Sequence, residues 1–215
     1  MASNAPDSET MVRNNGEDDK ESQPQESSSL IEIVPLSRQY FAEAKDIESD
    51  FVKTGKGCCF GVCRFAWCPA SPQEEFDSMY STKDVTRKET YGVALYNNKV
   101  VGICKGRRFG QKMTFDESLM HKPAKGEFYI DTLAVTSEAR GKGVGTKLLK
   151  WAEDLARQKG DSKLQLGVMQ GNPAERLYTR FGFEEEQRAS CCISFLIGRP
   201  HGSFTGIEMV KDLSS

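Results

Sequence analysis

Between Glu127 and Leu155 the hydrophobic period of the chain changes once, at a cluster of glycines. "EFYIDTLAV" alternates, and a period of two puts Glu127, Tyr129, Asp131, Leu133 and Val135 on one face of a strand. "ARGKGVGTKLL" follows, with Gly141, Gly143 and Gly145 in strict alternation. Beyond it Val144, Leu148, Ala152 and Leu155 fall on one helical stripe that Gly160 is placed to terminate. A strand ending in a glycine turn that opens a helix aims several backbone N–H groups, and the positive helix end, at one point in space. That geometry suits phosphate.

The flanking sequence supplies the remaining elements. "LIEIVPL" alternates like a strand, and "SRQYFAEAKDIESDFV" spaces Phe41, Ala44, Ile47 and Phe51 at helical intervals. "YGVALYNNKVVGICKG" is two β-rich runs joined by Asn97-Asn98, residues that tolerate the left-handed backbone of a hairpin turn. Residues 106–125 are basic and irregular and predict a long loop. "KLQLGVM" is a further strand running into "GNPAERLYTRFGF", where Asn172 caps a helix, Glu175 completes a capping box and Gly182 ends it. "CCISFLI" and "GIEMVKDL" read as two closing strands. This order predicts an α/β fold of the mixed α+β kind: a central mixed β-sheet of about six to seven strands flanked by about four helices.

Residues 1–29 carry seven acidic and two basic side chains with almost no apolar ones, and predict a disordered acidic tail ahead of one domain over 30–215. The remainder holds 24 acidic and 27 basic residues, about +3 against −2 for the whole chain, and neither value calls for nucleic acid. No apolar run approaches the roughly 18 residues of a membrane span, and nothing reads as a secretory or transit segment. The seven cysteines, four of them Cys58, Cys59, Cys63 and Cys68, are therefore expected as reduced thiols in the cytoplasm or nucleus. Their spacing, with His121 and His201 far off in sequence, does not suit zinc, and no metal is expected.

Spacing separates the phosphate loops that compete for the glycine turn. A Walker loop needs Gly-Lys-Ser/Thr, but Thr146 precedes Lys147; a dinucleotide fingerprint needs Gly-x-Gly-x-x-Gly, but Thr146 fills the third slot. Arg-x-x-Gly-x-Gly fits, as Arg140, Gly143 and Gly145. With "LAV" upstream and "NPAERLYTRFGF" downstream, the chain resembles the GNAT superfamily of acyl-CoA-dependent N-acetyltransferases over roughly Leu30 to Leu213. The resemblance implies acetyl-CoA as co-substrate. Its pyrophosphate would sit on Arg140, Gly141, Lys142, Gly143, Val144, Gly145 and Thr146, and its pantetheine arm along Leu133, Ala134 and Val135, with Asn172 alongside.

In this family the tyrosine of the Leu-Tyr pair, here Tyr178, often protonates the leaving thiolate. The base is open. The position four residues ahead of "LAV", glutamate in some members, is Tyr129 here; the next strand, which carries His or Glu in others, offers Gly167. Asp131 lies one same-face step nearer "LAV" and Glu127 one step farther, so Tyr178, Asp131 and Tyr129 are the catalytic candidates, with Glu127 and His201 behind them. Basic residues such as Arg107, Arg108 and Lys112 hint at an acid-flanked acceptor. Acetyl transfer to a primary amine of a small molecule, peptide or protein, by direct attack in a ternary complex of a monomer or homodimer, is the expected function. The alternative is an acyl-CoA-binding sensor or scaffold that has lost turnover.

Overall fold

The computed structural model describes residues 1, 31–53, 76–77, 80, 85–113, 121–190 and 205–214. The acidic tail, the cysteine cluster at 58–68, "CCISFLI" and His201 lie outside the described residues. In chain order the elements are β1 (Glu32–Pro35), α1 (Phe41–Lys53), α2 (Val85–Glu89), β2 (Tyr91–Tyr96), β3 (Lys99–Arg108), β4 (Glu127–Val135), α3 (Val144–Gln158), β5 (Lys163–Met169), α4 (Glu175–Phe181), β6 (Glu184–Ser190) and β7 (Thr205–Asp212). The strands form one seven-stranded sheet in the order β1-β2-β3-β4-β5-β7-β6. β4 and β5 run parallel, and every other neighbouring pair is antiparallel. The mixed sheet with about four helices is the architecture the sequence predicts.

Helices cover both faces. On one, Val144, Leu148, Leu149, Ala152 and Ala156 of α3 pack on Phe128, Ile130, Leu164, Leu166 and Val168 of the central strands, with Tyr178 of α4 in the same cluster. On the other, Phe41 and Ala44 of α1 join Tyr91, Val93, Leu95, Ile103 and Ala134. Asn97 and Asn98, with φ of 51° and 59°, make the tight turn between β2 and β3. Gly160, at φ 78°, ends α3 with Asp161 N–H donating to the Ala156 carbonyl (2.9 Å).

Two expectations are revised. β3 extends through Gly106 and Arg107, which pair with Ile130 and Tyr129, so the long connection starts after Arg108 rather than at 106. The closing strands also gain one that the sequence did not announce, Glu184–Ser190, "EEEQRAS", an acidic edge strand with none of the alternation that marks a half-buried one, while "CCISFLI" lies outside the described residues.

A third revision matters most for the site. Across β3 and β4, Lys105 pairs with Thr132 and Gly106 with Ile130, which leaves Asp131 as an extra residue in β4. Such a bulge shifts the alternation by one. Phe128 and Ile130 pack toward α3, and so do Leu133 and Val135, whereas Ala134 packs toward α1. Leu133 and Val135 therefore lie on the face opposite Tyr129, not beside it. The bulge also ends the parallel pairing. β4 and β5 stay together only from Glu127–Lys163 to Ile130–Leu166; past it β4 continues with β3 and β5 continues with β7.

Away from this opening, buried Glu153 of α3 accepts hydrogen bonds from Lys211 of β7 (3.0 Å) and from Arg157 (3.1 Å). Burial works against its charge, but these hydrogen bonds outweigh it and hold its carboxyl below the usual carboxylate range. Its contribution is thus complete above the unfolded carboxylate value near ~4.3 and is lost as pH falls through the lower folded value. Glu153→Gln should cost about 1–2 kcal/mol at pH 7, with less loss of stability than the wild type on going to pH 3. Thermal melts across that range check it; parallel pH slopes would contradict it.

Candidate active site

The glycine turn leads from the end of β4 into α3. Gly141 and Gly143 adopt φ of 75° and 79°, a left-handed backbone that L side chains rarely take, and a Cβ on either would meet nothing within 4 Å. Both face open space, as an anion cradle requires. Gly145 differs: a Cβ there would come 3.0 Å from Leu177 Cδ2, so its bareness serves the packing of α3 on α4. The first backbone bond into α3 runs from Lys147 N–H to the Gly143 carbonyl (3.1 Å). Among the described residues the N–H groups of Gly141 through Thr146 have no backbone acceptor, and those of Val144 to Thr146 lie at the positive end of α3. The Val144 side chain is buried in the core, so only its backbone faces the turn. Lys147 donates to the Ile31 carbonyl (3.1 Å) and Lys142 stands 5.4 Å over the Tyr96 ring.

The edge of β4 continues this cradle. Thr136 N–H donates to the Val101 carbonyl of β3 (2.9 Å). By the alternation of a strand the polar groups of Ala134 share that direction, and those of Leu133 and Val135 point the other way, into the gap where β5 has departed. Arg140 Nε lies 3.3 Å from the Val135 carbonyl. Leu133 and Val135 thus offer an edge with no strand partner beside the glycine turn, the Val135 carbonyl accepting from the Arg140 side chain, while Ala134 spends its backbone on β3.

Tyr178 of α4 is buried among the side chains toward α3, edge-on to Phe183 at 6.0 Å. Burial, with the Cys104 thiol second, raises its hydroxyl well above the usual tyrosine value, so it remains a protonated donor. Its helix is held by a variant of the expected capping box: Asn172 Oδ1 accepts from Ala174 N–H (3.0 Å), and Glu175 reaches back to Gly171 N–H (2.5 Å) rather than to Asn172. Asn172 is thereby tied to the start of α4.

On the face toward α1 the bulge gathers a polar cluster. Both Asp131 oxygens accept from Arg107, at 2.6 Å each, and the guanidinium is almost wholly buried, 5.6 Å above the Tyr129 ring. An aspartate engaged on both oxygens by one cation is a poor proton acceptor. Arg107 and Arg108 are not free charges for an acidic acceptor either, since Arg108 pairs with buried Asp161. The Tyr129 hydroxyl reaches β5, where a Cβ on Gly167 would lie 2.9 Å from it. The glycine that replaces the expected base therefore leaves room for this hydroxyl. Glu127, a reserve candidate for the base, is buried and bonded to His121 Nε2 (2.5 Å) and Ala124 N–H (2.7 Å). His121, missed as a site residue, lies flat on Tyr129, centroids 4.4 Å apart. No local pattern in "HKPAKGEFY" announces that contact; the turn at Gly126 (φ 83°) produces it.

An open mixed sheet whose central parallel strands part beside a glycine turn is the architecture that the sequence motifs suggest. The sequence model of the acetyltransferase (GNAT) family matches residues 58–183, more than half of the chain, which therefore belongs to that family. The aminoalkylphosphonate N-acetyltransferase of Salmonella typhimurium is 35% identical over 96 residues, covering 44% of this chain and 56% of that protein. An acetyltransferase of Agrobacterium fabrum is 39% identical over 66 residues, covering 30% and 47%. The chain thus spans about half the length of the curated relatives it matches. The crystal structure of a ribosomal-protein-alanine N-acetyltransferase from Brucella melitensis superposes with a TM-score of 0.60 at 18% identity, over 85% of this chain and 99% of that one, which shows the shared fold. Among the described residues no group of three or more His, Cys, Asp or Glu is arranged to hold a metal, and no helix is long and apolar enough to cross a membrane.

Because Arg107 and Asp131 are buried together, removing one partner strands the other. Asp131→Asn should cost about 3 kcal/mol, which lowers the melting temperature by roughly 6–12 °C in a chain of this size. Adding Arg107→Met should recover much of it. A single variant that melts like the wild type would show that the pair does not hold the bulge.

Proposed function

We propose that the chain transfers an acetyl group from acetyl-CoA to a primary amine by direct attack within a ternary complex. The observation that carries this reading is the parting of β4 and β5 at the Asp131 bulge, with the glycine turn at one end and Tyr178 in the core cluster on which Leu133 and Val135 pack. The residues present fit the co-substrate. The outward amides of Gly141 to Thr146, bare at Gly141 and Gly143, suit a pyrophosphate, with Arg140 and Lys142 at the rim. The free edge of Leu133 and Val135 suits the amide-bearing pantetheine arm, laid down as a strand would be. Ala134, whose backbone is spent on β3, anchors that edge to the sheet, and Asn172 fixes the start of α4. Acetyl-CoA would bring a thioester-activated acyl carbon and a sulfur leaving group.

The chain's own groups then have defined work. Tyr178, buried and protonated, donates its hydroxyl proton to the departing sulfur. Tyr129 lines the opposite wall of the cleft at Gly167, and Asp131 with Arg107 keeps that ring in place. An acceptor amine arrives largely protonated, near ~10.4 for a lysine and ~7.7–8.0 for an α-amine, so the site must also take a proton.

Purified protein should release thiol from acetyl-CoA with at least one of four amines: an alanine-initiated peptide, a lysine peptide, spermidine and aminoethylphosphonate. Binding of acetyl-CoA without release to any amine would favour the sensor reading. Tyr178→Phe keeps the ring and removes the donor, so kcat should fall by roughly 10² or more at nearly unchanged acetyl-CoA affinity. A loss under about threefold, with chemistry rate-limiting, would leave Tyr178 a packing residue.

A further inference from the structure

We propose that His121 is the base that takes the acceptor's proton, held for that task by Glu127. The inference rests on the acetyl-transfer reading and assigns a residue to its unfilled role. Four observations converge on the imidazole. Nε2 is bonded to the carboxylate of buried Glu127 at 2.5 Å, and the other Glu127 oxygen is committed to Ala124 N–H at 2.7 Å. The ring lies on Tyr129, with 15° between the planes, and the Tyr129 hydroxyl marks where β5 leaves β4. Nδ1 faces Glu208 of β7 at 3.9 Å, too far for a hydrogen bond and close enough to attract a cation brought between them. The His121 side chain is 23% exposed and Glu208 41%, so this side of the ring is reachable from solvent.

These contacts decide the roles. Glu127 accepts from Nε2–H, which fixes the tautomer and leaves the Nδ1 lone pair facing the approach. Glu127 itself is enclosed and fully bonded, so it positions rather than abstracts. Among the described residues the charged groups around the ring are Glu127 of β4 and Glu208 of β7, with Arg107 of β3 behind Tyr129 and paired with Asp131. Glu208 draws the ammonium in. Nδ1 then takes one of its protons, the N–H bond breaking with its electron pair retained on nitrogen, and that pair attacks the acyl carbon. As the nitrogen–carbon bond forms and the carbon–sulfur bond breaks, Tyr178 supplies the proton to sulfur and is replenished by the second amine proton. His121 returns its proton to solvent, so one amide, one thiol and one proton balance the reaction.

The test compares His121→Gln with the wild type on the four amines, alongside ¹⁵N spectra of the imidazole in the ligand-free protein. His121→Gln should lower kcat by at least 10² and abolish the acidic limb of its pH profile, with acetyl-CoA affinity and melting temperature held. Should glutamine disturb the loop, His121→Gly with added imidazole should recover turnover. Glu208→Gln should raise KM for spermidine with a smaller effect on kcat. The spectra should show the neutral ring protonated at Nε2 and bare at Nδ1. A neutral ring protonated at Nδ1 overturns the proposal, as does an active wild type whose kcat and pH profile His121→Gln matches. A wild type inactive on every amine overturns the acetyl-transfer reading and this proposal together.

Discussion

The single extra residue at Asp131 is the constraint on which the rest of the molecule turns. A sheet strand left unpaired on one edge exposes backbone N–H and C=O groups that must find partners. Here the bulge withdraws β4 from β5 after Ile130, while β3 and β7 keep each strand anchored on its outer side. The seven-stranded sheet survives an opening in its middle because the core under α3 spans it, joining Phe128 and Ile130 of β4 to Leu164, Leu166 and Val168 of β5 and to Ile207 and Met209 of β7.

In the proposed reaction that arrangement divides the chemistry between the two faces. Tyr178 comes from the side of α3, where burial keeps its hydroxyl protonated. Tyr129, His121 and Glu127 stand on the opposite side, with the Arg107–Asp131 pair bracing the ring from behind. A donor for the leaving group and an acceptor for the amine proton need opposite environments, one apolar and one bearing negative charge. The bulge lets a single strand separate them, because it sends Leu133 and Val135 one way and Tyr129 the other.

Much of this was legible in the residues. Alternation followed by a helical stripe gave β4, α3 and the glycine turn between them, and Asn97-Asn98 gave the β2–β3 hairpin. What stayed hidden has physical reasons. A bulge leaves no trace in "YIDTLAV", where Leu133 and Val135 continue the alternation of Tyr129 and Asp131 in sequence while reversing it in space. The strand Glu184–Ser190 is an edge strand and needs no apolar face. The burial of Glu127 depends on His121 folding back across a turn, and the capture of Asp131 depends on Arg107 from a different strand. Pairings between elements carry no local signature. The three glycines looked alike in sequence, yet two face open space and one faces Leu177.

The central claim is that the unpaired edge of β4 and the amides of the glycine turn form one continuous acetyl-CoA site. Amide hydrogen exchange, followed residue by residue with and without acetyl-CoA, tests it directly. The account predicts that Gly141 to Thr146, Leu133 and Val135 become protected together on adding the ligand, while amides already bonded within α3 and β7 change little. Protection elsewhere, or saturating ligand that leaves these amides exchanging as before, would contradict it.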